Sequence, residues 1–127
     1  MLITGACGGL GKAFVKECAK ETHTMVLTGT SQKKLDALLE EFKTEFDGMK
    51  VLIVVCNLAK LEDRIALVEF VKKQDLQVSR LINNAGVIIE GDLERFEDEE
   101  ILNAVRVNCE GTIDITQKFL KIRDESE

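Results

Sequence analysis

The sequence predicts an α/β fold built on a doubly wound parallel sheet, and three observations carry that prediction. Short apolar runs alternate with amphipathic stretches in the order β-α-β-α-β-α-β-α, with brief connections. Alternation of this kind means parallel pairing through right-handed crossovers. One run, Val51 to Cys56, is apolar without alternation and rich in β-branched residues, as suits a strand covered on both faces. The turn Thr4-Gly5-Ala6-Cys7-Gly8-Gly9-Leu10-Gly11 is glycine-rich and stands between the first strand and the first helix.

Each element has its own signal. Leu2-Ile3 reads as a short first strand. From Gly9 to about Glu21, apolar Leu10, Ala13, Phe14 and Cys18 recur at helical spacing. Met25-Val26-Leu27 is a strand that runs into Thr28-Gly29-Thr30. Ser31 then caps an amphipathic helix whose stripe is Leu35, Leu38, Leu39, Phe42 and Phe46, stopped by Asp47-Gly48. After the strand at Val51 to Cys56, Leu61 to Lys73 is helical with Leu67, Val68 and Val71 inward. Val78 to Ile82 leads as a strand into Asn83-Asn84-Ala85-Gly86, and a polar loop follows through Gly91. A last helix is expected from about Asp98 to Ile122, with the acidic run Glu97-Asp98-Glu99-Glu100 favouring its start and Arg123 to Glu127 frayed. That helix is apolar around much of its girth: Val105, Cys109, Ile113 and Leu120 on one side, Ile101, Ile115 and Phe119 on others. A helix covering a sheet needs one stripe, so the extra face is expected to be covered by further chain or a second subunit.

Composition narrows the classes. A chain of 127 residues is one domain at most, here residues 1–127, and long enough to bury a core. Its net charge of −6, with Lys and Arg dispersed among acidic residues, argues against nucleic acid as the main ligand. No stretch approaches the ~20 apolar residues of a membrane span. There is no basic flank before an apolar segment, so the expected setting is cytoplasmic. Cys7, Cys18, Cys56 and Cys109 form no Cys-x-x-Cys pair, which argues against a metal site or a disulfide framework. Cys18 and Cys56 fall in apolar patterns and read as core, whereas Cys7 sits in the glycine turn as a small, accessible filler.

The glycine turn carries the chemistry. A strand entering a helix through such a turn leaves backbone N–H groups aimed at one spot, reinforced by the positive end of the helix dipole. A phosphate or pyrophosphate is the natural occupant, and an acidic protein can still bind it because the donors are local amides. Asn108 stands in the middle of the last helix, where Asn is a poor helix former that competes for backbone hydrogen bonds.

Thr4-Gly5-x-x-x-Gly9-x-Gly11, Asn83-Asn84-Ala85-Gly86 and Asn108, in this order, resemble the cofactor loop, the fourth-strand motif and the active-site asparagine of the short-chain dehydrogenase/reductase family. The resemblance covers essentially the whole chain. It implies a partial Rossmann-type sheet in the strand order 3-2-1-4, with the fourth strand at an edge. Gly5, Gly9, Leu10 and Gly11 would hold the pyrophosphate and adjoining ribose of a nicotinamide cofactor. Gly29 falls where NAD-preferring members carry an acidic residue, so a repulsion against a 2′-phosphate is missing. Thr30 and Ser31, with Lys33 or Lys34, would meet that phosphate, which favours NADP over NAD. The blander reading, that Ser31 only caps its helix and the lysines are solvated, stays open.

Asn57-Leu58 matches the family's adenine contact, with Asn where Asp is usual, and Asn84, Ala85 and Gly86 would line the adenosine and ribose. These last three also serve to end the strand. Asn108 would mark a local break in its helix that helps hold a water in the proton relay; otherwise it is an exposed Asn without consequence.

The family's Ser, Tyr and Lys follow the next strand, and this chain has no Tyr. Lys118 and Lys121 belong to a different helix. The expectation is therefore the N-terminal, cofactor-binding part of an NAD(P)-dependent oxidoreductase acting on a carbonyl/alcohol substrate, inactive by itself. It is also expected to self-associate through the last helix and the fourth strand's edge. A self-contained, non-catalytic nucleotide-binding or assembly module is the alternative.

Overall fold

The computed structural model of the chain describes residues 1–123, so the tail expected to fray lies from residue 124 onward outside the described residues. Four parallel strands, β1 (Leu2–Ile3), β2 (Thr24–Gly29), β3 (Lys50–Val55) and β4 (Leu81–Ile82), lie in the order β3-β2-β1-β4. The helices are α1 (Gly9–Cys18), α2 (Gln32–Glu41), α3 (Leu61–Lys73), α4 (Asp98–Val105) and α5 (Thr112–Leu120). This is the doubly wound α/β sheet and the 3-2-1-4 order that the sequence predicts.

Side-chain alternation divides the core in two. On one face Leu2, Val26, Leu52, Val54 and Leu81 pack with Leu67, Val68 and Val71 of α3 and with Ile115 and Phe119 of α5. On the other, Ile3, Met25, Leu27, Val51, Ile53 and Ile82 pack with Val15 of α1 and with Leu38 and Phe42 beyond it. Val51 to Val54 are covered from both sides as expected, but β3 is an outer strand and its residues stay half-exposed. A slip of one residue in Leu2↔Val26 and Ile3↔Leu27 would send every side chain of β1 to the wrong face.

Four local expectations need correction. The strand expected from Val78 shrinks to Leu81–Ile82, because β4 pairs only with the two residues of β1; Val78 is still buried. The first helix ends at Cys18 rather than near Glu21. Its expected stripe also differs: Leu10 is 66% exposed and Ala13 is exposed, while Gly11 and Val15 are buried. Leu10 turns to the cleft described below instead of the sheet. Finally, the single helix expected over Asp98 to Ile122 is two helices joined by a π-helical turn, Arg106–Gly111. Thr112 Oγ1 donates to the Val107 carbonyl at 3.3 Å across that wider turn. The acidic run does start α4, through a reciprocal capping box between Glu97 and Glu100.

Candidate functional site

β1 is an inner strand, and the chain leaves its carboxyl end through Thr4 to Gly8 to enter α1 at Gly9. Gly5 adopts φ +62°, and a Cβ there would stand 2.8 Å from Ala85 Cα, so both conformation and space demand glycine. A Cβ on Gly11 would collide with the Gly5 carbonyl oxygen and approach Asn84 Nδ2 to 2.9 Å. At Gly9 a Cβ would meet nothing within 4 Å. Gly9 is thus not required by the protein's own packing; the space beside it belongs to the cleft. Among the described residues no side chain caps α1, which leaves its first amides available to an anion.

Thr4 locks this loop to the end of β4. Its hydroxyl, 1% exposed, accepts hydrogen bonds from the N–H groups of Asn84 at 3.1 Å and Ala85 at 3.0 Å. Asn84 Nδ2 donates in return to the carbonyls of Thr4 at 3.2 Å and Gly5 at 2.9 Å. Asn83 turns the other way and donates to Thr116 Oγ1 of α5 at 2.8 Å. Asn108 lies in the π-helical turn, which is the helix break expected at that residue. Its side chain accepts from Val87 N and donates to Val87 O, both at 2.7 Å, so it clamps the chain just past Gly86.

The third wall follows β3. Asn57 N donates to Asp63 Oδ2 at 2.8 Å, and Asn57 Oδ1 accepts from Ala59 N at 3.0 Å, so its carbonyl is spent shaping the turn. After β2, Ser31 Oγ accepts from Lys34 N at 3.3 Å, which makes Ser31 a true N-cap. Ser31 and Lys34 also line the cleft, whereas Lys33 does not.

These segments enclose one cleft of about 1020 Å³ at the carboxyl edge of the sheet. Gly5, Gly9, Leu10 and Gly11 line its floor; Thr30 and Ser31 line one end beside Asn57 and Leu58. Asn84, Ala85, Gly86 and Asn108 line the opposite wall. Apart from Lys33, the residues that the sequence nominates for the cofactor therefore face the same space. Cys7 also lines it, and burial raises its thiol pKa although Lys12 and Lys34 pull the other way. Sequence reasoning quoted Thr4 without a role and overlooked Val87 and Thr112 on the wall. Only the spacing of Thr4 from Gly5 pointed to it.

A family model described as short chain dehydrogenase matches residues 1–127. The very-long-chain 3-oxoacyl-CoA reductase of Neurospora crassa is 34% identical over 120 residues, covering 91% of this chain and 36% of that protein. The chain thus spans about a third of the length of the curated relative it matches. A short-chain dehydrogenase from Sphingobium yanoikuyae, solved in complex with NADPH, superposes with a TM-score of 0.80 at 29% identity, over 93% of this chain and 46% of that one. A short-chain dehydrogenase/reductase from Brucella melitensis has the same fold at a TM-score of 0.85 and 18% identity, over 98% of this chain and 51% of that one.

Proposed function

The chain belongs to the short-chain dehydrogenase family, and we propose that it is the cofactor-holding part of an NADP-dependent oxidoreductase that reduces a carbonyl or oxidises an alcohol. The observation that carries this reading is the cleft, with uncapped amides of α1 at its floor and a glycine, Gly9, where a Cβ would meet only open space. A nicotinamide dinucleotide, when bound, supplies the hydride. Gly9 and Leu10 would donate backbone N–H groups to its pyrophosphate, and the open space beside Gly9 would receive the phosphate oxygens. Asn57 and Leu58 would flank the adenine, while Ala85 and Gly86 would follow the ribose with bare backbone. Asn108 would fix the Val87 segment on the nicotinamide side.

The lean toward NADP rests on Gly29, which brings no carboxylate to the end of β2, and on Lys34, whose charge stands at the same end. The relative from Neurospora crassa is a 3-oxoacyl-thioester reductase by name, so a 3-oxoacyl group is the substrate class to try first. Because the 127 residues contain no Tyr, they are expected to transfer no hydride unaided. Cofactor binding is expected to be weak, because the residues present supply the adenosine and pyrophosphate side and only half of a nicotinamide pocket. A cytoplasmic setting and self-association through the exposed face of α4 and α5 belong to the same proposal.

Titration calorimetry with NADP and NAD tests it, with Gly9→Asp as the control. Binding by the parent and its loss in the variant are expected; equal binding by both would remove the glycine turn from the site. Hydride transfer to any carbonyl by this chain would refute the expected inactivity. A nucleotide-binding module without chemistry is the second reading, favoured by the missing Tyr alone. It predicts that the chain binds nucleotide as tightly as a complete site does.

A further inference from the structure

Arg64 is the most deeply buried charge among the described residues, with its side chain 2% exposed. It stands near the start of α3, where the helix dipole disfavours a cation. Its guanidinium reaches three segments. Nη1 donates to the Leu58 carbonyl at 2.7 Å, Nη2 to Glu110 Oε1 at 2.9 Å, and Nε lies 2.8 Å from Asp114 Oδ2 as an ion pair without hydrogen-bond alignment. Leu58 belongs to the turn on the adenine side of the cleft; Glu110 belongs to the π-helical turn that carries Asn108. The two turns also touch directly, since a Cβ on Gly111 would stand 2.5 Å from the Leu58 carbonyl oxygen.

A buried ion pair seldom adds net stability over an apolar replacement of similar volume. What a forked guanidinium adds is fixed geometry among its partners. We propose that Arg64 is a positioning residue that ties the adenine-side turn at Leu58 to the π-helical turn at Glu110, so that two walls of the cleft keep one spacing. The consequence for the cofactor rests on the function proposed above; the coupling of the two turns does not.

The test uses the 127-residue chain in three forms: the parent, Arg64→Met, and Arg64→Met combined with Asp114→Leu. Ligand-free hydrogen exchange is followed at residues 57–60 and 106–112, with thermal unfolding and titration by NADP alongside. The apolar pair is expected to recover much of the melting temperature lost in Arg64→Met. Both variants should still exchange about tenfold faster at the two turns together, while β1 and β2 keep the parent's protection. The dissociation constant for NADP should rise about fivefold in both.

Recovery of turn protection and NADP affinity along with stability would show that Arg64 only fills the core, and would overturn the proposal. Faster exchange at one turn without the other would overturn it equally. If Arg64→Met does not fold, Arg64→Lys, which reaches fewer of the three partners, is read the same way. Should the parent bind neither NADP nor NAD, the proposed function fails, while the exchange data still decide the role of Arg64.

Discussion

Single atoms decide how the cleft closes. The Thr4 hydroxyl accepts from two amides at the end of β4. Asn84 N also reaches the Ile82 carbonyl at 3.1 Å, whereas Ala85 N has no second partner among the described residues. Thr4→Val therefore keeps the volume and leaves the Ala85 N–H unpaired. Leaving such a group unpaired costs about 1–3 kcal/mol. Chemical denaturation should register that loss, and Thr4→Ser should restore most of it. Cysteine chemistry offers a second check at this scale. Burial, with Asp63 adding and Arg64 opposing, pushes the Cys56 thiol up from 9.0 to about 11. The folded state then holds the proton more tightly than the unfolded chain, so this contribution is complete below pH 9 and is lost as pH rises toward 11. Denaturation midpoints across that window should fall, and the fall should shrink in Cys56→Ala. Cys7 and Cys109 differ from Cys56 in access: Cys109 is exposed, so it should take an alkylating reagent first. Bound NADP should shield Cys7, and mass mapping of the labelled peptides reads both outcomes.

Elements show what a sequence can and cannot convey. The order of strands and helices was legible because apolar runs and amphipathic stripes repeat at their own periods, as in Leu35 and Leu38 of α2, both buried. The glycine turn was legible because few other tasks need that many glycines between a strand and a helix. The roles within it were not. Gly9 and Gly11 look alike in sequence, yet only Gly11 is pressed against the Gly5 carbonyl. Gly11→Ala should therefore lower stability by roughly 1–3 kcal/mol, the usual cost of overpacking. Gly9→Ala should leave the melting curve intact and weaken nucleotide binding alone. Thermal unfolding and calorimetry on the two variants separate these outcomes, and equal loss of stability in both would sink the distinction. A poor helix former in mid-helix made Asn108 conspicuous, but the break itself was expected only through the family resemblance. Its partner was not legible, because Val87 is distant in sequence and the clamp forms only in the fold. Arg64 escaped for the same reason: an Arg in the first turn of an amphipathic helix reads as solvated until Glu110 and Asp114 close over it.

At the scale of the molecule, the two faces of the sheet are treated alike but its covering helices are not. α5 buries Ile115 and Phe119 against the sheet and turns Ile113 and Leu120 outward, 65% and 53% exposed. Leu102 and Val105 of α4 continue the outward face at 45% and 55% exposure. Large aliphatic side chains left exposed on two successive helices cost hydration free energy unless something covers them. The outer strand β4 lies beside α5 in the same half of the molecule, so one contact could cover the helix face and the strand edge together. A second copy of the chain meets this need most simply, since a two-fold axis sets each stripe against its twin. Light scattering should then give a mass near twice 14.2 kDa at high concentration. Val105→Glu with Ile113→Glu should return it to the monomer, because two carboxylates per chain would be buried facing their own images. The same variant should bind NADP no worse than the parent, as neither side chain lines the cleft. A parent that stays monomeric at every concentration would mean that the stripe serves some other cover, and loss of NADP binding in the variant would mean that the two surfaces are not independent.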